Sequence, residues 1–571
     1  MNKDSVLFCN KKFNSLFVSA MIVSSSGSLI TILNNIIANF FVGPYGVSSI
    51  GMLSTFYSIL YFLFTLILFG TQKLYVDAIG RMDQKSANKY FTQGLILNIG
   101  LAIILSVSYF CILEHYYAYM GITGELLLYT RAYGKLVPLI MFVLPIQMYI
   151  SSMIYTDGDT KLSNLSVTVQ IILNITLSAI LSRFLGMFGI NLASLISAIV
   201  VLLICCTHFF KKINTLKFDF YINLKEIFSA VRLGLPPAVV DLSNAIVAFV
   251  MNKLIIVNFG EDYLVVFSLV LSMITYTTWF KGFSQCLQPL YSAYEGDNNT
   301  KMMNHTLKNG YKVILIFSFC LTLLFSILTG PYVTLFISSN PELHAEAVKA
   351  VHIVCLFFPF MSTIYFFCAY FVFRNKVALA SICTLLNMCI MIISLCSCLI
   401  MPFGIKGIYF GYLFSPIITM IFMFLYLYIR YGKSGFPFYI SHDRDDNIYM
   451  FSMALNENNI MSVVNNIQNM FKDKIKDASI LNKLELFVEE ISMVIFNKND
   501  KHATTIEYTV DLNDDGVKLV IRDDGKIFDI TDSDVNIDSF RTYIVSNIME
   551  NQESKAYLTT TGYNKNVFKF A

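Results

Sequence analysis

The sequence predicts an all-α polytopic membrane protein with twelve transmembrane helices in two parallel six-helix repeats, followed by a cytoplasmic α+β sandwich domain. Three observations lead to this fold class. Hydrophobic residues make up 56% of the 571 residues and charged residues only 14%, whereas soluble domains are about 25% charged. Twelve apolar segments can be drawn before residue 432. The last 130 or so residues, 441–571, have the composition of a soluble domain.

The apolar segments are long enough to span a bilayer, because about 20 mostly apolar residues cross a hydrocarbon core of roughly 30 Å. They divide equally between a first bundle, residues 1–216, and a second bundle, residues 217–432. The first segment is too long for a signal peptide, and no small-residue cleavage pattern follows it. The segments are 14–40, 47–69, 91–113, 131–155, 162–183, 188–210, 233–258, 262–289, 310–330, 348–373, 377–400 and 406–430.

Charge sets the expected orientation, because Lys and Arg accumulate in cytoplasmic loops. The N-terminus and the even-numbered loops hold 20 of these residues, Lys73 among them, and the opposite side holds 5. We therefore expect a multi-pass plasma membrane (cell inner membrane) protein with both termini in the cytoplasm. Residues 1–440 carry a net charge of +11 and residues 441–571 a net charge of −8.

The tail, residues 441–571, follows a predicted linker over 433–440 that contains one glycine and one proline. Hydrophobic alternation and helical periodicity predict its elements. Strands are expected over 447–455, 504–513, 517–523, 555–560 and 566–570. Helices are expected over 457–475, 480–497 and 539–550.

Features of the first half recur in the second half at offsets of 214 to 217 residues. Six spans in each half make the halves parallel repeats, which is typical of a transporter with a central cleft. The matches are Asn35 with Asn252, Gly80 with Gly296, Gly94 with Gly310, Pro145 with Pro359, and Phe188-Gly189-Ile190 with Phe403-Gly404-Ile405.

Four stretches carry a family resemblance. NNIIANFFVGPYG (34–46) and FGTQKLYVDAIGRMDQKSANKYFTQG (69–94) resemble the first half of the multidrug and toxic compound extrusion (MATE) family, and LGLPPAVVD (233–241) and GFSQCLQPLYSAYEGDNN (282–299) resemble its second half. The resemblance covers about residues 14–432. It implies two six-helix bundles around a V-shaped cavity, and export of amphiphilic, often cationic, compounds against entry of H⁺ or Na⁺.

The first bundle departs from the family at its acidic positions. Many members carry Asp where this chain has Ala38, and Asp where it has Ser178, four residues after Asn174. A cation site needs oxygen ligands and a proton site needs a titratable group, so we expect coupling elsewhere. The coupling-ion candidates are Asp241, Asn244 and Asn174.

Asp241 is the predicted coupling carboxylate. It follows Arg232 by nine residues, about 13 Å along a helix, and a charge near mid-membrane costs about 2.5–3.5 kcal/mol unless it faces a cavity or a partner. Asn244 shares its helix face. The alternative is that Asp241 only pairs with a lysine or the backbone near the cytoplasmic end.

Polar residues within the spans are the candidates for lining the cavity. Lys281 is a counter-charge to Asp241, a lining residue, or a lysine that extends to the interface. The glutamines and asparagines form stripes that line the cavity or join helices through hydrogen bonds. The candidates are Asn35, Asn39, Lys281, Gln285 and Gln288.

The tail has its own resemblance. LNKLELFVEEISMVIFNKND (481–500), VKLVIRDDGKIFDI (517–530) and YLTTTGYNKNVFKF (557–570) resemble the histidine-kinase-type ATPase fold, in its anti-sigma-factor serine kinase branch. The resemblance implies that Glu490, Asp523 and Gly525 belong to a nucleotide-like site. The Mg²⁺-binding Asn is replaced by Val494, and the segment 532–545 has no glycine to hold phosphates. We expect a catalytically degenerate domain that binds adenine nucleotide weakly or docks a cytoplasmic regulatory protein.

The expected function is secondary active multidrug export by a monomeric, non-enzymatic transporter of small amphiphilic substrates. A flippase for a lipid-linked precursor or another endogenous amphiphile is the alternative. No P-loop is present to support an ATP-driven pump. All 12 cysteines precede residue 399 and none has zinc-site spacing. We expect no catalytic residues, metal or required cofactor, H⁺ or Na⁺ as the coupling ion, and the lipid bilayer rather than nucleic acid as a partner.

Overall fold

The structure is a computed structural model that describes residues 6–570 with several gaps. Some side chains inside helices, and those of the fourth strand, lie outside the description as well. The predicted helix over 539–550 falls in one of the gaps. The gaps are 43, 121–123, 221, 260–262, 335–340, 441–446, 473, 476, 500–503, 514–515, 527–553 and 561–562.

Six helices form the first half of the membrane region. α6 begins after Asp159, whose carboxylate accepts a hydrogen bond from the backbone N–H of Leu162 at 3.2 Å and so satisfies a free donor of the first turn. The helices are α1 (Leu7–Phe41), α2 (Pro44–Gly80), α3 (Gln84–Met120), α4 (Gly124–Gly134), α5 (Val137–Thr156) and α6 (Thr160–Cys206).

Ten helices form the second half. A short 3₁₀ turn joins α8 to α9, and a π-helical turn joins α14 to α15. The helices are α7 (Leu224–Phe259), α8 (Tyr263–Thr275), α9 (Trp279–Gly296), α10 (Thr300–Ile327), α11 (Thr329–Thr334), α12 (Pro341–Val354), α13 (Phe358–Phe373), α14 (Val377–Leu385), α15 (Met391–Phe403) and α16 (Lys406–Tyr431).

The twelve predicted segments fall on these helices. Among the described residues, eight helical stretches are long and apolar enough to cross a membrane. Large apolar side chains such as Ile104, Phe184 and Ile327 are exposed on the outside, as expected for surfaces in lipid. The number of crossings and the domain boundaries stay predictions. Lys73 was assigned to a loop and that assignment is wrong, because α2 continues to Gly80.

The repeat is visible in backbone geometry. α6 bends at Gly186, with φ +55° and ψ −134°, and α15 ends at Gly404, with φ +58° and ψ −138°. Only glycine adopts such angles without strain. The structure therefore pairs Gly186 with Gly404.

The glycines three residues further on agree with this register. A Cβ added to Gly189 would lie 2.4 Å from the carbonyl oxygen of Leu181, and one added to Gly407 would lie 2.2 Å from that of Leu399. The predicted match of Gly189 with Gly404 is therefore wrong by three residues, because it relied on a shared tripeptide rather than on the positions that need glycine.

The two halves meet where α2 crosses α7 and α9, a contact that we call the seam. Here glycines allow the backbones to touch. A Cβ on Gly234 would lie 1.9 Å from the carbonyl oxygen of Leu66, and a Cβ on Gly296 would lie 2.1 Å from that of Gly80. Gly80 and Gly296 are equivalent residues of the repeat, so the seam crosses at its pseudo-two-fold axis.

The tail is a five-stranded antiparallel sheet in the order β1-β2-β3-β5-β4. Two helices cover one face, and their apolar side chains form a core with Phe451, Tyr508, Leu519 and Phe568. All the predicted tail elements within the described residues are present. They are β1 (Ile448–Ala454), α17 (Glu457–Phe471), α18 (Ala478–Lys498), β2 (Thr505–Asn513), β3 (Gly516–Asp523), β4 (Ser554–Thr560) and β5 (Tyr563–Phe570).

Candidate functional site

An open cavity lies between α2, α7, α9, α13 and the α14–α15 junction, with an empty volume of about 680 Å³ that includes open solvent. Most of its wall is apolar, which suits the hydrophobic part of an amphiphile. A few polar side chains interrupt the wall. They are Lys73, Lys281, Gln288, Thr384 and Asn387.

Lys281 lines this cavity and forms an ion pair with Asp241, and we call these two residues the cavity pair. The Nζ atom of Lys281 lies 2.7 Å from Oδ1 of Asp241, and the side chains are 16% and 19% exposed. Thr65 of α2 donates a hydrogen bond to Oδ2 of Asp241 at 3.2 Å. The counter-charge interpretation of Lys281 therefore agrees with the geometry, and Asp241 also connects the two bundles.

The sequence of α7 positions Asp241. Pro236 and Pro237 lie one turn before it and line the cavity. Because proline has no N–H, these two residues leave backbone carbonyls of the preceding turn without their helical donors. These carbonyls belong to Arg232 and Leu233, eight or nine residues before Asp241, and Leu233 lines the cavity.

A second ion pair lies further along α2. Lys73 donates to Asp77 at 2.5 Å, and Ser292 of α9 donates to the same carboxylate oxygen at 2.9 Å. Lys73 is fully buried and lines the cavity. Sequence reasoning missed this pair because Lys73 was placed in a loop. The i, i+4 spacing of Lys73 and Asp77 was the available signal.

Two amides offer polar atoms that have no hydrogen-bond partner in the structure. They are Nε2 of Gln288 and Oδ1 of Asn387. Both residues are buried and line the cavity. A buried amide without a partner is costly, so a bound ligand or water that satisfies these atoms would be favoured.

The remaining membrane candidates are spread over the fold. Asn244 lies one turn after Asp241 and is half-buried. Asn174 lies in the other bundle, where its amide donates to Ser194 at 3.0 Å. Asn35 is half-buried on α1. The side chains of Asn39 and Gln285 lie outside the described residues.

The nucleotide-like residues of the tail lie at the end of β3. Asp523 is buried and accepts hydrogen bonds from Asn564 at 2.9 Å and from the backbone N–H of Gly525 at 3.1 Å. Burial raises the pKa of Asp523 to about 6, against the effect of these hydrogen bonds. A Cβ on Gly525 would lie 2.3 Å from the Asn499 amide. Glu490 is half-buried on α18.

Comparison with known proteins identifies the architecture. The family model described as MatE matches residues 19–180 and again residues 236–397. The two matches begin 217 residues apart, which agrees with the repeat. They cover more than half of the chain. No curated protein sequence matches it.

Solved structures share the fold of the membrane region. A multidrug resistance MATE family transporter of the MOP superfamily, in an outward-facing conformation, is 19% identical, and the match covers 75% of this chain and 97% of that chain with a TM-score of 0.69. A MOP superfamily transporter from Pyrococcus furiosus is also 19% identical. The polarity of its binding pocket is described as reversed, which suggests a different function for that protein. That match covers 76% of this chain and 99% of the other, with a TM-score of 0.69.

Proposed function

Because the chain belongs to the MatE family of membrane transporters, we propose that it is a secondary active exporter that exchanges amphiphilic, cationic compounds for H⁺ or Na⁺. The observation that carries this proposal is the cavity pair. It joins a carboxylate to a lysine that lines a mostly apolar cavity. The first bundle has Ala38 and Ser178 at the family's acidic positions, so coupling is assigned to the second bundle.

In this proposal, a proton and a cationic compound compete for Asp241, and this competition explains how the protein exchanges one for the other. A cation, whether Lys281 or a cationic substrate, is attracted to the carboxylate only in its charged form. When Asp241 takes up a proton, it loses its attraction for either cation. A proton and a cationic compound therefore exclude each other from one site, which is the requirement for antiport. For Na⁺, the Asp241 carboxylate and the Thr65 hydroxyl would supply oxygen ligands.

The test uses ethidium as a fluorescent cationic substrate in cells that express the full chain. We expect efflux that depends on expression and collapses when a protonophore, or for Na⁺ a sodium ionophore, removes the gradient. Asp241→Asn should reduce gradient-driven efflux at least tenfold, since the amide does not bind the coupling ion. Glu114→Gln is the matched control, because Glu114 is exposed and pairs only with Arg131 on the surface. Full efflux by Asp241→Asn would refute the coupling role.

The flippase alternative has a specific observation in its favour. Two lysines, Lys73 and Lys281, line the cavity, and a phosphate-bearing headgroup could displace their carboxylate partners. In proteoliposomes containing fluorescent phosphatidylglycerol, a flippase would expose about half of the inner-leaflet label to dithionite within minutes, beyond the signal of protein-free vesicles. Flipping that is lost in Lys281→Met, together with no ethidium efflux, would select this alternative.

We assign the tail a regulatory rather than catalytic role, with weak binding of adenine nucleotide or a cytoplasmic protein. The absence of a Mg²⁺-binding Asn at Val494 and the retained Asp523 support this assignment. The proposed setting is a monomer in the plasma membrane with both termini in the cytoplasm and no required cofactor. Addition of millimolar ADP should raise the melting temperature of the full chain, and this increase should be lost in Asp523→Ala.

A further inference from the structure

The face of the tail sheet opposite α17 and α18 is polar but buried. Along each strand, alternate residues point to this face. Glu507 of β2, Arg522 of β3 and Lys565 of β5 form one row across the three strands. None of these side chains is more than 2% exposed. Charged residues are rarely buried unless they are paired, so the row marks an interface.

The partner surface is the end of the second bundle. Asp297, which directly follows α9, forms ion pairs with Arg522 and with Lys565, the latter at 3.0 Å. Arg522 also donates to Glu507 at 2.6 Å, and the Tyr294 hydroxyl donates to Glu507 at 3.0 Å. We call Asp297, Glu507, Arg522 and Lys565 the seam cluster.

The cluster depends on the membrane region for its charge balance. Arg522 and Lys565 lie directly opposite each other on neighbouring strands, and like charges in that position repel. Within the tail, Glu507 neutralises only one of them. Asp297 provides the second negative charge, so the polar face of the sheet is satisfied only when the tail is docked.

One residue of the tail contacts both bundles. The Nζ atom of Lys565 that pairs with Asp297 of the second bundle also donates to the carbonyl oxygen of Gly80, 3.2 Å away at the end of α2 in the first bundle. Its ammonium thus binds the negative end of the α2 helix dipole. The contact lies at the seam, where Gly80 and Gly296 touch.

Further contacts hold the tail to α1 in the first bundle and to α10 in the second. The backbone N–H of Phe8 donates to Ser452 at 3.0 Å, and Lys11 pairs with Asp524 at 2.6 Å. Lys301 donates to the carbonyl oxygen of Ile448 at 3.4 Å. The N-terminal end of α1 and the tail are therefore on one side of the membrane region, which we call the tail side.

We propose that the tail sheet is an autoinhibitory clamp, which holds the two bundles together on the tail side and must release before the cavity opens to that side. This inference rests on the proposed alternating-access transport. In such a cycle the bundles separate on each side in turn. Separation at the seam would pull Gly80 away from Asp297 and break the bridge through Lys565. Docking thus stabilises the state that is closed on the tail side.

The test measures the distance between the bundles without using a substrate. Spin labels are attached to cysteines at Lys85 and Lys308, which are exposed and belong to different bundles. In this background the exposed and half-buried cysteines are replaced by serine. They are Cys111, Cys206, Cys320, Cys389 and Cys398.

The wild-type full chain in nanodiscs should give one narrow distance population. Lys565→Met and Arg522→Met should each add a longer population, at least threefold larger than in the control Lys483→Met. Lys483 is exposed on α18, on the face of the tail away from the seam.

Ethidium efflux by the same variants gives the second readout. The clamp predicts at least threefold faster efflux for Lys565→Met and Arg522→Met than for Lys483→Met. Since a buried charge without its partner could unfold the tail, Asp297→Asn tests the pairing from the membrane side and leaves the sequence of the tail unchanged. It should give the same longer distance population and the same faster efflux as the two Met variants.

The outcomes separate this inference from the proposed function. Unchanged distances in both Met variants would overturn the clamp, and longer distances with slower efflux would overturn its inhibitory role. Longer distances in the Met variants and in Asp297→Asn, with no ethidium efflux from any variant, would support the clamp and reject ethidium export. Longer distances in the Met variants but not in Asp297→Asn would overturn the assignment of the clamp to this ion pair.

Discussion

The cavity pair and the seam cluster are two charged groups with different surroundings. The cavity pair joins one lysine to one carboxylate, its lysine lines the cavity, and its side chains stay 16% and 19% exposed. The seam cluster is enclosed and at most 3% of each side chain is exposed. Arg522 pairs with two carboxylates, and Asp297 pairs with three cations, the third of which is Lys518 at 4.0 Å. A carboxylate in the first setting can exchange its partner or take up a proton. In the second, loss of any member leaves a buried charge. The comparison separates a group suited to transport from a group suited to holding surfaces together.

The first test of this difference replaces one cation with methionine in the seam cluster and one in the cavity pair. Arg522→Met should weaken tail docking by about 3–5 kcal/mol, because it leaves Glu507 and Asp297 buried with too little positive charge. Lys281→Met should cost only about 1 kcal/mol, because Asp241 keeps Thr65 and access to the cavity. Hydrogen exchange of the full chain in detergent measures both, through the amides at the end of α9 and those around Asp241.

Equal losses of protection at the two sites would contradict the comparison. A drop of about 100-fold or more is expected near α9 in Arg522→Met, and about fivefold near Asp241 in Lys281→Met. Arg522→Lys serves as the control for the guanidinium, since lysine keeps the charge but does not reach both carboxylates with a planar fork. Arg522→Lys should lower the protection of the α9 amides, but by less than Arg522→Met does.

A pH series examines Asp523, a tail carboxylate whose pKa is raised by burial. The pKa of Asp523 is raised from 3.8 to about 6, so the folded tail binds this proton more tightly than the unfolded chain does. The charged carboxylate therefore lowers stability above pH 6, and this cost disappears as the pH falls from about 6 towards 4. Relative to wild type, Asp523→Asn should be more stabilising at pH 8 than at pH 4, by up to about 3 kcal/mol. Melting of both full-length proteins across this range is the measurement, and a gap that does not change with pH would contradict it.

Glycine substitutions test whether the seam requires close contact of the backbones. Gly296→Ala places a Cβ 2.1 Å from the Gly80 carbonyl oxygen, so the helices must move apart at a cost of about 1–3 kcal/mol. Gly100→Ala is the matched control, because no atom lies within 4 Å of its added Cβ. The spin-label distance between the bundles should lengthen in Gly296→Ala and stay unchanged in Gly100→Ala. A normal distance in both would show that the seam tolerates a methyl group.

The smallest effect is expected at the edge of the tail interface. Lys11→Met removes an ion pair to Asp524 in which the lysine is 56% exposed, and such surface pairs contribute about 0–1 kcal/mol. Protection of the α9 amides should fall less than fivefold. A loss comparable with that of Arg522→Met would mean that the edge contact, rather than the seam cluster, holds the tail.

The sequence predicts the helical and strand elements because their signals are local. Apolar runs and strand alternation depend on neighbouring residues, and the tail strands were predicted to within three residues of their ends. The counter-charge interpretation of Lys281 agrees with the structure, since a lone Asp241 in an apolar segment needs a function or a partner. The coupling role of Asp241 stays a prediction. The repeat register was wrong around Gly189, because sequence identity does not show which glycine has a positive φ.

The seam cluster could not be predicted in this way. Glu507, Arg522 and Lys565 look like ordinary solvent-facing residues of alternating strands, and Asp297 looks like a loop residue. Their proximity depends on sheet register and on docking between parts of the chain more than 200 residues apart. Lys73 was misplaced for a related reason, since a buried lysine is not expected until Asp77 and the cavity around it are known.

The contact between Gly80 and Gly296 also bears on ancestry. When a residue touches its own counterpart across a two-fold axis, the contact is the kind that a symmetric homodimer forms. A half-length chain would have made this crossing between two identical subunits. In the present chain the next position differs in charge between the halves, with Arg81 in the first half and Asp297 in the second. Because only one half offers a carboxylate there, a single tail can bind in a single orientation, which a symmetric dimer could not have specified.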